Sequence, residues 1–295
     1  MKYNVRKKTA SITEALAKKV GSALSRKELV KNVVVISDTH CGSTLALCPS
    51  KHRLDDGGWY YPSNLQIKLW EYWKDFWRWT YERLDGAPFA LVHNGDIIDG
   101  DHHKTSTIIS RNLKDQERMA IDIMQPHVEK AAMYFQIRGT EAHVGQSAEY
   151  EERVAQALGA VKDADTGASS TWELGMELGP EIVHFSHHIG TTSSTAYEAS
   201  APMREITAAF VEAGQWGNRP PTVLVRSHRH RYIEVKPANC RIVVTPAWQA
   251  KTPFVFKMDR MRSPMFGGLL IRLGDEGVHI REKIYTLTRP IDVKL

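Results

Sequence analysis

Residues 33–40 read VVVISDTH. Val33 to Ser37 is a short β-branched apolar run, the composition of a strand buried on both faces, and it stops at Asp38 and His40. A single His beyond a strand is more often a hydrogen-bonded structural residue than a ligand, but the chain repeats the arrangement. FALVHN (89–94) leads into Gly95, Asp96 and Asp99, and MYFQIR (133–138) into RGTEAHVG (138–145) with His143. EIVHFS (181–186) is followed by His187 and His188, and TVLVRS (222–227) by His228 and His230. In open α/β sheets, ligands bind at the carboxyl ends of the strands, where loops converge and the strand holds each side chain rigidly. Five strands thus bring Asp or His to one rim.

The segments between these strands alternate with them as helices, which argues for α/β architecture, and RIVVTP (241–246) and GGLLIRL (267–273) make the later half strand-rich, suggesting a second sheet. LQIKLWEYWKDFWRWTYERL (65–84) places Leu65, Leu69, Trp73, Phe76, Trp77 and Thr80 at spacings of three and four. This periodicity reads as an aromatic helix face packed on a sheet rather than a platform for stacking bases. Further helices are expected from about Asn112 to Ala132, with Pro126 placed to kink it, and over AEYEERVAQALGA (148–160). The polar, Gly- and Pro-containing segment 42–64 reads as a long loop or insertion. Thr9 to Leu29 reads as a basic, loosely amphipathic helix, a solvated face at the domain edge in preference to a nucleic-acid arm. The expected organisation is a basic helical extension over 1–30 and a catalytic domain over 31–295.

A chain of 295 residues with 42% hydrophobic and 25% charged residues is that of a globular protein, and no apolar run is long enough to span a bilayer. The first 32 residues lack the apolar core of a secretory signal, so a cytoplasmic location is expected. Cys41, Cys48 and Cys240 match neither a thiolate metal site nor a disulfide framework. The net charge of +5 is a mild pointer to an anionic partner, supported by an HHK segment at His102 to Lys104 expected to be exposed beside the rim. Imidazole with carboxylate suits Mn, Fe or Zn better than Ca or Mg. The D-x-H and H-x-H spacings suit one cluster if the segments are extended, because side chains two apart then point the same way.

In order, SDTH, GDIID, the Gly of RGTEAH, SHH and SHRH resemble the calcineurin-like metallophosphoesterase family, whose motifs are D-x-H, G-D-x-x-D, G-N-H-E/D, a lone His and G-H-x-H. The likeness runs from about Val33 to Tyr232. It implies a four-layer αββα sandwich of two mixed sheets flanked by helices. It also implies two divalent metal ions, Mn2+ foremost with Fe or Zn as alternatives, held by Asp38, His40 and His230 on one side and His187 and His228 on the other, with Asp96 bridging. Asp99 would orient the loop or a water. The His directly after the strand's small residue Ser186 is the ligand, which selects His187 over His188. In the third motif Thr140 stands where the family has a metal-binding Asn, leaving water or Glu141 to fill the place, and His143 would protonate the leaving group.

The implied activity is hydrolysis of a phosphate ester by a hydroxide shared between two metals. The charge leans toward a phosphodiesterase or nuclease acting on nucleic acid or a nucleotide. The alternatives are a phosphomonoesterase and a non-catalytic metal-binding homologue.

Overall fold

The protein is described by a computed structural model covering residues 30–102, 104–192, 194–237, 239–258 and 263–287; the expected helix at Thr9 to Leu29 lies outside the described residues. In chain order the elements are β1 (Asn32–Ile36), β2 (His52–Arg53), β3 (Trp59–Tyr60), α1 (Asn64–Leu84), β4 (Phe89–Asn94), α2 (Leu113–Val128), β5 (Met133–Ile137), α3 (Glu141–Val144) and α4 (Glu149–Ala157). There follow β6 (Ser170–Thr171), β7 (Glu173–Leu178), β8 (Glu181–Ser186), α5 (Ser200–Trp216), β9 (Val223–Arg226), β10 (Ile233–Val235), β11 (Arg241–Val244), α6 (Pro253–Met258), β12 (Phe266–Gly274) and β13 (Gly277–Tyr285).

The strands form two mixed sheets. One runs β13-β12-β1-β4-β5-β6 and the other β10-β11-β9-β8-β7. In the first, β1, β4, β5 and β6 are parallel and β12–β13 is an antiparallel edge hairpin. In the second, β11, β9 and β8 are parallel, with antiparallel β10 and β7 at the two edges. Strand alternation sorts the core into layers. Val33, Val35, Ala90 and Val92 meet Val183, Phe185, Val223 and Val225 between the sheets. Val34, Ile36 and Leu91 turn the other way, toward α1, α2 and α4. Leu224, Ile242 and Val244 pack against Ala201 and Ile206 of α5 on the far side. Helices therefore cover both outer faces, and the architecture is the αββα sandwich expected from the sequence.

The aromatic stripe of α1 is core: Leu69, Trp73, Phe76, Trp77 and Thr80 are buried. A Ser63–Gln66 capping box starts the helix. Helix α2 stops at Val128, short of the expected Ala132, and Pro126 sits in its last turn instead of kinking its middle. The segment 42–64 is not a free loop. Its first half is built into the core, with Leu47 and Cys48 fully buried and bridges from Ser43 to Ile108 and from Ala46 to Gln249, while its second half carries the β2–β3 hairpin. At the rim the two sheets are tied by a chain of side chains in which Ser37 and Ser227 both bond Thr245, and Asn94 Nδ2 donates to Ser227. That fixes the separation of the two sets of strand ends.

Candidate metal centre

The five loops expected to converge do so. Asp38 and His40 follow β1, Asp96 and Asp99 follow β4, and Thr140 and His143 follow β5, all from the first sheet. His187 follows β8 and His228 and His230 follow β9, from the second. Four overlapping groups of donor atoms result, each with its atoms within 4.8 Å of one another: His40–Asp96–His143 and Asp99–His102–His143, and two that draw on both sheets, a first, Asp38–His40–His230, and a second, Asp96–His187–His228.

Within the first group, His40 Nε2 lies 3.1 Å from His230 Nε2 and 3.9 Å from Asp38 Oδ1, and His230 Nε2 lies 3.2 Å from Asp38 Oδ1. Donors around a tetrahedral ion at about 2.1 Å are separated by about 3.4 Å, so this spacing fits one small divalent cation. Asp38 adds a second sign of fit. Its carboxylate is fully buried and faced by imidazoles, His230 at 3.2 Å, His40 at 3.9 Å and His187 at 4.0 Å from Oδ1, and a buried charge is costly unless a cation takes it up.

In the second group, His187 Nε2 is 3.1 Å from Asp96 Oδ2, and the Thr140 hydroxyl is 3.2 Å from Asp96 Oδ2, 3.4 Å from His187 Nε2 and 3.2 Å from His228 Nδ1. Thr140 therefore stands among the donors itself, while Glu141, offered as its replacement, is exposed and outside both groups. The groups adjoin: His40 Nε2 is 4.0 Å from Asp96 Oδ2, and His187 Nε2 is 4.0 Å from Asp38 Oδ1. Either carboxylate reaches across. His187 is buried and His188 exposed, so the structure brings the former to the cluster.

The D-x-H and H-x-H turns are not extended, contrary to the expectation from spacing. Asp38, His40, Asp96, His228 and His230 all have left-handed backbone, with φ of 52°, 42°, 56°, 70° and 54°. Left-handed residues at the first and third positions, and not a pleat, present the paired side chains. Such conformations cost on the order of 1 kcal/mol or more each in non-glycine residues and gather at functional sites. Two glycines allow the loops to close. A Cβ on Gly95 would come within 2.3 Å of His187 Nδ1, and one on Gly139 within 2.2 Å of Asp96 Oδ1.

Neighbouring groups set the orientation of each imidazole. His187 Nδ1 donates to the Asn94 carbonyl at 2.7 Å, which turns Nε2 toward Asp96. His40 Nδ1 faces Asp99 Oδ1 at 3.3 Å, and that oxygen also accepts from Gln249 Nε2 at 2.8 Å. This carboxylate-behind-imidazole pairing orients a metal-binding His and raises its basicity. His143 Nδ1 donates to the Asp99 carbonyl at 2.7 Å, leaving Nε2 beside His40 and Asp96, with the His143 and His40 rings 4.6 Å apart.

Electrostatically, the centre calls for positive charge. Burial opposes ionisation of Asp38, but His187 and His230 outweigh it and hold the carboxyl well below the usual range. Asp96 is likewise held low against burial by His187, His143 and His40. In return, although burial lowers His187, Asp96 and Asp38 push it up to about 10. Burial pushes His228 down to about 4, the neutral form that binds metal.

Three contributors have no sequence signal of the D-x-H kind. His102 is half-buried, with Nε2 3.7 Å from Asp99 Oδ1 and its ring 4.3 Å from that of His143, so the HHK segment does not present it as an exposed cationic edge. Gln249 arrives through the bridge to Ala46, a long-range pairing without a local pattern. Glu151 is fully buried on α4, where burial and the Asp96 charge push it up to about 8. Its position in the stripe Glu151, Val154, Ala155, Leu158 is the one signal that could have found it: a carboxylate on an apolar helix face.

No protein-family model matches the sequence, and no curated protein matches it. Solved structures do. An archaeal phosphodiesterase aligns over 86% of this chain and 99% of its own, at 9% identity and TM-score 0.41. Wild-type Vps29 from Entamoeba histolytica complexed with Zn2+ aligns over 86% and 98%, at 10% identity and TM-score 0.38. A predicted phosphoesterase from Streptococcus pneumoniae aligns over 86% and 98%, at 10% identity and TM-score 0.34. At such values the likeness concerns the fold alone, and the chemistry is read from the residues above.

Proposed function

We propose that the protein is a dinuclear metal-dependent phosphoesterase acting on phosphodiesters. One observation carries this reading: two donor groups, each drawing on both sheets, stand side by side, with Asp38 and Asp96 each reaching the other's group at 4.0 Å. Asp38, His40 and His230 would hold one ion and Asp96, His187 and His228 the other, with the Thr140 hydroxyl beside the second. When bound, a pair of divalent cations, Mn2+ or alternatively Fe or Zn, supplies Lewis-acid charge for phosphoryl oxygens and makes water acidic enough to attack at neutral pH.

The chain's own residues then have separable tasks. Asp99 keeps the His40 ring aimed inward, and the Asn94 carbonyl does the same for His187. The Asp99 carbonyl takes the Nδ1 proton of His143, so Nε2 is bare in the neutral ring and only the imidazolium form can pass a proton from Nε2 to the departing oxygen. Burial pushes this imidazole down to about 4 while the Asp96 charge acts in the opposite direction; an anionic ester adds to the latter. The +5 net charge favours a polyanionic ester, nucleic acid or nucleotide, over a small monoester.

The test is hydrolysis of bis(p-nitrophenyl) phosphate against p-nitrophenyl phosphate by Mn2+-loaded protein. Turnover of the diester supports the reading. Turnover of the monoester alone would assign a phosphomonoesterase, and turnover of neither, nor of DNA, a metal-binding homologue without activity.

A further inference from the structure

Beneath the candidate ligands, buried polar groups close a ring of hydrogen bonds. The two carboxylate oxygens of Glu151 accept from different loops: Oε1 takes Ile97 N–H at 3.1 Å and Oε2 takes Gly139 N–H at 2.6 Å. Gln136 Nε2, on β5, donates to the Ile137 carbonyl at 2.9 Å and to the same Oε1 at 3.2 Å, and lies 3.3 Å from His93 Nδ1 on β4, sharing its two protons among the three. His93 Nε2 lies 3.1 Å from the Thr39 hydroxyl, which donates to the Ile97 carbonyl at 2.9 Å. Since the Thr39 proton goes to Ile97, Thr39 accepts from His93 Nε2–H, and His93 Nδ1 is left to accept from Gln136. Gln136 thus donates both ways round the ring and Glu151 Oε1 accepts from both ends, and the ring passes through Ile97, whose N–H and C=O both belong to it.

None of the four side chains is more than 2% exposed. A buried polar ring is costly unless every member is satisfied, and then it is rigid. Its contacts fall beside ligands. Thr39 lies between Asp38 and His40, Ile97 follows Asp96, and Gly139 precedes Thr140. Those loops contain three of the left-handed residues, Asp38, His40 and Asp96, which persist only where the surroundings over-determine them.

We propose that this ring positions the metal ligands, with Glu151 holding the Asp96 loop to the Thr140 loop and Thr39 holding the D-x-H turn to both. The proposal rests on the two-metal reading above. Glu151 and Thr39 touch no ligand atom in this role; they act through the backbone.

The full chain tests it with Mn2+ binding by equilibrium dialysis, electron paramagnetic resonance of the bound ions and a thermal melt. In Glu151→Gln one backbone N–H faces an amide NH2 instead of an oxygen, and Thr39→Val removes the hydroxyl at constant shape. Each variant is expected to melt as a folded protein, to bind the weaker Mn2+ about 10–100-fold less tightly, and to lose the spin-coupled signal of adjacent ions. Thr39→Ser, which restores the hydroxyl, is expected to recover both readouts. Folded Glu151→Gln and Thr39→Val proteins with wild-type affinity and coupling would overturn the proposal. If Glu151→Gln does not fold, the Val and Ser pair at Thr39 decides alone. Wild-type protein that binds fewer than two ions would overturn the two-metal reading, and this proposal with it.

Discussion

The two sheets supply one rim with different chemistry. Every acidic member of the donor groups, Asp38, Asp96 and Asp99, follows a strand of the first sheet, together with His40, His102 and His143; the second sheet supplies imidazoles alone, His187, His228 and His230. The support differs too. Beneath the first sheet's loops lies the closed ring through Glu151, whereas the second sheet's His187 leans on a carbonyl of the first, that of Asn94. Carboxylates and the buried ring therefore come from one side and imidazoles alone from the other, so substitutions on the two sides should not be equivalent.

The largest effect is expected from Asp96→Asn, which removes the carboxylate shared by both groups and should abolish bound metal and turnover together. Full activity in this variant would break the assignment. His143→Ala comes next. It should leave metal content intact and lower turnover by about 10²–10⁴-fold, measured by metal analysis alongside initial rates. On the second sheet, His228→Asn is expected to weaken one ion and spare the other, seen as a loss of one Mn2+ per chain in dialysis. Equal loss of both ions would erase the difference between the sheets.

The rim was legible in the sequence because its signal is local: a buried apolar run followed within a few residues by Asp or His, five times over. The aromatic face of α1 was legible for the same reason, since its period is written in the spacing of Leu69, Trp73 and Phe76. What was hidden depends on long-range pairing. The antiparallel edges β7 and β13 and helix α5 went unread. Helix α5 exposes Met203, Phe210, Val211 and Trp216, which blurs its amphipathic period, and β7 mixes Glu and Gly, both poor strand formers, into its alternation. The D-x-H turn was read as extended, and the left-handed backbone that actually pairs its side chains depends on contacts to Ile97 and Trp248 far along the chain. His102 was read as an exposed neighbour and packs on Asp99. Water or Glu141 is expected to fill the place of the family's Asn, yet the Thr140 hydroxyl itself lies 3.2–3.4 Å from Asp96 Oδ2, His228 Nδ1 and His187 Nε2.

A subtler expectation concerns that substitution. Thr140→Ala should weaken the second ion by about 10-fold and leave the first unchanged, and unchanged affinity for both would reduce Thr140 to a helix cap. A last expectation concerns stability and lies away from the rim. His127 stacks on Trp77 at 3.8 Å and meets the Tyr81 hydroxyl at 2.8 Å, and burial pushes it from 6.5 down to about 3. The folded protein then holds fewer protons here than the unfolded chain, so this stability is complete above about pH 6.5 and is lost as pH falls toward 3. Denaturant unfolding at pH 7 and pH 4 should show a loss of about 3 kcal/mol from this group, missing in His127→Gln; an identical acid loss in the variant would place the titration elsewhere.

Counting Mn2+ ions bound per chain by equilibrium dialysis, in wild type and in Asp96→Asn, addresses the paired centre most directly. Two ions per wild-type chain, spin-coupled to each other, and none retained by the variant is the predicted result. One ion or none in the wild type, or two ions still held by Asp96→Asn, would contradict it.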